Sequence, residues 1–398
     1  MSTGEELLDR YQHALLGVFG RPQLVLDHGD GCWVWDVDGF RYLDLVGGIA
    51  VNALGHNHPE LVSALSKQVA SQIHISNFFT SRAQIDLAER LLAIADAPDG
   101  SRVFFANSGT EALEAAIKLA RRTGRPGIIA MDGAFHGRTT GALALTSRPA
   151  YREPFEPLLP GVRRVPYADL PALDAALTAD VGAVVLEPIQ GEAGVLDPGP
   201  DYLRAVRDLT AERGVLLILD EVQTGIGRTG DWFGFQQSGI RPDAITLAKG
   251  LGGGVPIGAL VTFGAETSGL LTPGLHGSTF GGNPLAAAAG LAVLDTLARD
   301  DLLAHARVVG DHLADAVRAL DHPLIGEVRG RGLLRAIGLT RDIAVATAVY
   351  ARDAGFLVNP VTPNALRLAP PLILTAAEAD LFVAALGGLL DRAASETS

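Results

Sequence analysis

The sequence predicts an α/β protein, with a mostly parallel sheet in a large region and a smaller α+β domain beside it. Three observations lead there. The chain has 398 residues, beyond the size at which one core stops growing, so two are expected. Between about 84 and 265, short apolar runs alternate with helical patterns, as in a parallel sheet covered on both faces. After about 283 long helices come first and short strands follow. The expected division is residues 1–70 as an N-terminal segment belonging with the small domain, 71–283 as the large domain, and 284–398 as the C-terminal small domain.

In chain order, a helix is expected near 4–17, then strands near 24–27, 32–36 and 41–44. Asp38-Gly39 between the last two is a hairpin turn signal. A helix near 59–71 follows. The large region opens with R-V-F-F-A-N (102–107) and a helical stretch 110–122, with Leu113, Ala116, Ile117 and Ala120 on one stripe. Further buried strands are expected at 127–131, 182–187, 215–220, 243–249 and 257–263. The C-terminal region reads as an Ala-rich helix after 283, a second helix to about 319, strands near 324–329, 332–338, 356–359 and 365–369, and helices near 341–354 and 375–392.

Composition narrows the function classes. Hydrophobic residues make up 48% and charged residues 19%, which suits a buried globular core and not a disordered chain. The net charge of −13 repels phosphate backbones and argues against nucleic acid as a partner, although acidity also simply aids solubility. Cys32 is the one cysteine, so no intrachain disulfide forms and a reducing compartment is expected. His56 and His58 stand in G-H-N-H-P without further ligands nearby, which reads as a loop and not a metal site. The N-terminus reads as an acidic amphipathic helix, not a leader, and no run has the ~18 apolar residues of a membrane span. A cytoplasmic location with no membrane partner is the expectation.

Polar residues collect where the apolar strands end: Asn107, Glu187, Asp220 and Lys249. In an open α/β sheet that edge binds ligands. N-S-G-T-E (107–111) puts Ser108, Gly109 and Thr110 at a helix start, where amides and dipole favour an anion; ordinary capping would use the same residues. Asp220 could hold a cationic ring nitrogen or cap a turn. Lys249 ends a strand in L-A-K-G-L-G-G-G (247–254) and is either a desolvated amine nucleophile or a solvated loop lysine. Gly225-x-Gly227-x-x-Gly230 matches a dinucleotide fingerprint in spacing alone, since it follows its strand by several residues and leads into Asp-Trp rather than a helix. The glycines after Lys249 are no P-loop, because there the lysine must come last.

Taken together these blocks resemble the class III, ornithine-type, pyridoxal-phosphate aminotransferases. The resemblance runs along nearly the whole chain. It includes G-G-I-A-V-N-A-L-G-H-N-H-P, N-S-G-T-E-A-L-E-A-A-I-K-L-A-R, F-H-G-R-T, E-P-I-Q-G-E-A-G-V, D-E-V-Q-T-G-I-G-R-T-G, L-A-K-G-L-G-G-G-V-P-I-G-A and H-G-S-T-F-G-G-N-P-L-A. It implies the type I pyridoxal-phosphate transferase fold and pyridoxal 5'-phosphate as cofactor. Lys249 would condense with the cofactor aldehyde, and Asp220 would pair with the pyridine nitrogen and keep it protonated. Gln223 would bind the phenolic oxygen, and Phe135 and Val222 would sandwich the ring. Ser108, Gly109 and Thr110 would hold the phosphate. A further phosphate contact, from Thr279 with Ser278 beside it, would come from a second copy, which implies a homodimer with shared sites. Arg138 and Arg367 would clamp substrate carboxylates, their planar forks matching that group, with Glu192 pairing to Arg367 when the first substrate is bound.

Within the family the chain looks most like the branch that acts on N2-acetylornithine and 2-oxoglutarate in arginine biosynthesis. Ornithine-specific members carry an aromatic residue in the segment matching Gly47-Gly48-Ile49; Ile49 stands here and suits an acylated amine. Thr110 replaces the usual Ala, where its hydroxyl could add a phosphate contact, and Leu113 replaces the usual Asn. Alternatives are transamination of ornithine, 4-aminobutyrate, succinylornithine or succinyl-diaminopimelate, or a same-fold aminomutase.

Overall fold

The computed structural model describes residues 3–396. The first hairpin forms as its turn chemistry dictates. β1 (Leu26–Asp30), β2 (Trp33–Asp36) and β3 (Arg41–Asp44) make an antiparallel ladder. Gly39 takes φ 89° in the turn, a left-handed angle that costs glycine no Cβ clash. The first strand starts two residues later than the apolar residues before it suggest.

The central sheet has seven strands: β4 (Arg102–Ala106), β5 (Gly127–Met131), β6 (Val162–Val165), β7 (Val181–Leu186), β8 (Leu216–Asp220), β9 (Ala244–Leu247) and β10 (Gly258–Thr262). Their order is β4-β10-β9-β8-β7-β5-β6. β5, β7, β9 and β10 are buried along their whole length, which explains their unbroken apolar runs. β6 is V-R-R-V at the sheet edge; two arginines in four residues hide it from a search for apolar runs. The sheet is parallel from β6 to β9, but β10 runs antiparallel to both β9 and β4. The connection 248–257 is the reason: it is shorter than the dozen or so residues a parallel crossover needs.

The helix Gly109–Arg121 buries Ala112, Leu113, Ala116, Ile117 and Ala120 on the sheet. Ser108 caps it, its Oγ accepting from the Glu111 amide at 3.3 Å. Leu113 is fully buried in an apolar cluster with Ile117, Ile128 and Leu145, so an amide side chain there would lack partners. The Ala-rich helix Pro284–Arg299 opens with Pro284 in its first turn and Asn283 as cap, Oδ1 accepting from Ala286 at 2.9 Å.

Beyond it, β11 (Ile325–Arg331) and β12 (Leu334–Leu339) form a hairpin. β13 (Phe356–Leu357), β14 (Asn359–Thr362) and β15 (Ala365–Leu368) follow. The run expected as one strand at 356–359 is divided between two sheets at Val358. β13 pairs in parallel with β3, while β14 is the edge of an antiparallel sheet ordered β11-β12-β15-β14. Pro360 is tolerated because β14 is an edge. Arg228, inside the glycine triplet that mimics a dinucleotide motif, is buried and donates to the carbonyls of Leu333, at 3.0 Å, and Pro370. That loop thus stitches the central sheet to the small one. Among the described residues no helix is long and apolar enough to cross a membrane, and no group of three acidic, His or Cys side chains could hold a metal.

Candidate active site

The topology carries the ends of β4, β7, β8 and β9 and the start of β10 to one edge of the central sheet. They surround a cavity of about 440 Å³, within the usual size of a ligand site. Ser108, Gly109, Thr110, Phe135, Arg138, Glu192, Asp220, Val222, Gln223 and Lys249 all border it. Arg367 lies directly behind, joined to Glu192 and Gln223. Ser278 and Thr279 instead border a separate pocket with His74, Asn77 and Phe78. Ser278 is tied back through Asn107, whose Nδ2 donates to its Oγ at 3.0 Å. Within one chain Thr279 does not reach the cavity.

Asp220 ends β8 and is held on both oxygens. Oδ2 lies 2.7 Å from Nδ1 of His136, and Oδ1 accepts from Thr246 Oγ1 and the Val222 amide, each at 3.1 Å. The His136 side chain is fully buried and its Nε2 has no partner among the described residues. Glu187, at the end of β7, is buried and accepts from the Phe135 amide at 3.3 Å. Burial pushes its pKa well above the usual carboxylate value, and the charge of Asp220 adds to the rise.

Lys249 follows β9 with φ 43°, a left-handed angle that strains a side-chain-bearing residue. Part of its surface faces the cavity, yet its amine is largely desolvated. Desolvation first, and then the charge of Arg367, lower its pKa to about 8, against the pull of Glu192, Asp220 and Glu187. The amine is therefore partly neutral near physiological pH, as a nucleophile toward an aldehyde must be.

One end of the cavity is formed by the first turn of the helix Gly109–Arg121, where Gly109 and Thr110 amides have no intrahelical acceptor and could receive an anion. A Cβ on Gly109 would stand 2.8 Å from Val222, and one on Gly137 would stand 2.3 Å from Thr110 Oγ1, so both glycines keep this end open. The Thr110 hydroxyl is not free to donate to a phosphate. It shares a 2.7 Å bond with Thr139 Oγ1, which in turn donates to Glu114 at 2.5 Å. Thr110 thus has its amide to offer, while its hydroxyl proton is committed to Thr139.

At the other end, Arg367 is 2% exposed and satisfied by Glu192 at 2.5 Å, Gln223 at 3.2 Å and Asn359 at 2.8 Å. Burial would raise the Glu192 pKa, but the charge and hydrogen bond of Arg367 outweigh it and the net shift is downward. Arg138 contrasts with this: its guanidinium stacks on Tyr151 and makes no ion pair among the described residues. Ile49 sits in a turn whose residues 47–50 all have positive φ; it is 41% exposed and does not border the cavity.

An amine, a carboxylate and open helix amides around one cavity fit pyridoxal phosphate, which has an aldehyde, a basic ring nitrogen and a phosphate. Sequence reasoning did not assign His136, Glu187, Thr246 or Asn359. His136 was visible inside F-H-G-R-T beside Phe135, and Glu187 as a strand-end acid, but Thr246 and Asn359 carry no sequence signal.

Residues 19–390 match the family described as aminotransferase class-III. The acetylornithine aminotransferase of Mycobacterium tuberculosis is 54% identical over 98% of each chain. Among solved structures, the ornithine aminotransferase of Toxoplasma gondii superimposes with TM-score 0.94 at 31% identity, covering 100% of this chain and 97% of that one. The acetylornithine aminotransferase of Elizabethkingia anophelis gives TM-score 0.86 at 31% identity, covering 98% of this chain and 100% of that one.

Proposed function

The chain belongs to the class-III aminotransferases, and from that premise we propose that it moves the δ-amino group of N2-acetylornithine to 2-oxoglutarate, forming N-acetylglutamate 5-semialdehyde and glutamate. The family's cofactor is pyridoxal phosphate. The observation that carries the reading is the sharing of one cavity by the Lys249 amine, the Asp220 carboxylate and Arg138, which makes no ion pair among the described residues. The choice of donor is supported by the 54% identical relative.

Pyridoxal phosphate, when bound, supplies an aldehyde that condenses with amines and a ring that draws electron density from the carbon bearing the amine. The protein's part follows from its residues. Gly109 and Thr110 amides bind the phosphate at the helix start, and Ser108 caps that helix. Phe135 and Val222 would flank the ring, and Gln223 would bond its phenolic oxygen. Asp220, fixed by His136 and Thr246, would keep a proton on the ring nitrogen. Lys249 would hold the cofactor through its amine, and that amine, when free, would take a proton from the donor's Cδ. Arg138 binds the donor's α-carboxylate. Glu192 would hold Arg367 during that half-reaction and yield it to the α-carboxylate of 2-oxoglutarate in the next; because the first product leaves before 2-oxoglutarate binds, the kinetics would be ping-pong.

Ser278 and Thr279 would complete the phosphate site from a second copy of the chain, making the working unit a homodimer in the cytoplasm. The division at about residues 70 and 283 into an N-terminal segment, a large domain and a small domain is part of the same reading.

The test is a spectrum of the purified protein before and after N2-acetylornithine, followed by rates with each rival ω-amine and 2-oxoglutarate. Bleaching by N2-acetylornithine, and the highest kcat/KM for it, are expected. A clear preference for ornithine or 4-aminobutyrate would overturn the donor assignment, and turnover without a keto acid would point to an aminomutase.

A further inference from the structure

Beside the main cavity lies a smaller one of about 210 Å³, bordered by Ser147, Arg148, Tyr151 and Ala193. It shares Phe135 and Glu192 with the main cavity, and the contact of Arg138 with Tyr151 joins the two. The Arg138 Cζ stands 3.5 Å from the centroid of the Tyr151 ring and 5.7 Å from that of Phe135. Tyr151 is itself restrained. Arg148 Nη1 donates to its hydroxyl at 2.7 Å, the Arg148 Cζ lies 5.0 Å from its ring, and Phe135 meets it edge-on at 84°.

Two features set this cluster apart. Neither Arg138 nor Arg148 pairs with a carboxylate among the described residues, in a chain whose net charge is −13. Arg125 and Arg228 also lack a carboxylate partner, but they donate to backbone carbonyls. The Arg138 guanidinium carbon lies over the Tyr151 ring, and the guanidinium N–H edge has no hydrogen-bond partner among the described residues. That edge is what a carboxylate binds in bidentate fashion. A long side chain that would otherwise swing through many rotamers is thereby held with its fork open.

We infer that Tyr151 is a positioning residue for carboxylate recognition: it holds Arg138 by stacking, and Arg148 holds Tyr151. This rests on the assignment of Arg138 as the donor-carboxylate clamp. The two unpaired cations also draw anionic substrates toward the mouth of an otherwise acidic protein.

The experiment uses the holoenzyme and two amino donors that differ by one group: N2-acetylornithine and N-acetyl-1,4-diaminobutane, the same molecule without its carboxylate. For Tyr151→Leu, kcat/KM for N2-acetylornithine should fall about 10-fold, mainly through KM, while the carboxylate-free donor stays within about 2-fold. Calorimetry with glutarate, an unreactive dicarboxylate, should show a matching loss of affinity. Tyr151→Phe keeps the stack and loses only the Arg148 bond, so it should retain most of the discrimination. Equal losses on both donors, or no loss on either, would overturn the inference. Arg138→Gln separates it from its premise. If that variant discriminates between the donors and Tyr151→Leu does not, only the positioning role falls. If Arg138→Gln does not discriminate, the clamp assignment falls as well.

Discussion

The edge of the central sheet and the small antiparallel sheet treat their charged groups in opposite ways. Asp220 at the end of β8 has both oxygens fixed by groups on elements packed around it, His136, Thr246 and its own turn. Arg367, in the middle of β15, is just as buried but leans on Glu192, a loop carboxylate that remains partly exposed. The first arrangement has no spare partner and holds one geometry. The second is an ion pair with a partly exposed partner, which on the proposed function a substrate carboxylate replaces. A transaminase needs both kinds, since the proton-handling groups serve every turnover while the carboxylate site must receive two different substrates in turn.

The largest effect should come from the fixed edge. Lys249→Ala should lower kcat by at least about 10⁴-fold in steady-state assays; retained turnover would show that the edge is not where the chemistry happens. Asp220→Asn removes the charge but keeps the shape, and should cost about 10²–10³-fold in kcat with both substrates alike. The exchangeable side should behave differently. Arg367→Lys should raise KM for 2-oxoglutarate about 10–100-fold while the single-turnover rate with the amino donor changes little. Equal losses in both half-reactions would erase the contrast between the two regions.

A pH measurement sharpens it further. The lowered Lys249 pKa means that the neutral amine is gained as pH rises through about 8, not near 10.4 as for a solvated lysine. The rate at which cofactor-free protein takes up pyridoxal phosphate should follow that rise. A midpoint near 10 would show that the amine is solvated. The smallest effect on chemistry belongs to the helix between the regions' ligands. Leu113→Ala should cost about 2–5 kcal/mol of stability by denaturant melts and leave kcat at 25 °C unchanged.

The fixed edge was legible because strand ends announce it: an apolar run that stops at Asp220 or Lys249 tells where the side chain will sit. The antiparallel direction of β10 is written only in the length of the connection 248–257, and β6 was hidden by its own arginines. The small-sheet side was harder. Arg367 was readable through family likeness, but Asn359, its third partner, falls where the chain passes between two sheets, and nothing local marks that passage. The placement of Arg138 at the cavity was readable through family likeness, whereas Tyr151, which stacks on it, is thirteen residues further along the chain and belongs to no motif. The role of Leu113 became clear only once its neighbours in the apolar cluster were visible.

The central claim is that the amine of residue 249 is the group that meets the cofactor. Incubation of the protein with pyridoxal phosphate, reduction with borohydride and peptide mass mapping tests it without any assay of turnover. The account predicts one stoichiometric pyridoxyl adduct on Lys249, absent when an amino donor is added before reduction. An adduct spread over Lys67, Lys118 and Lys249 alike, or none at all, would contradict it.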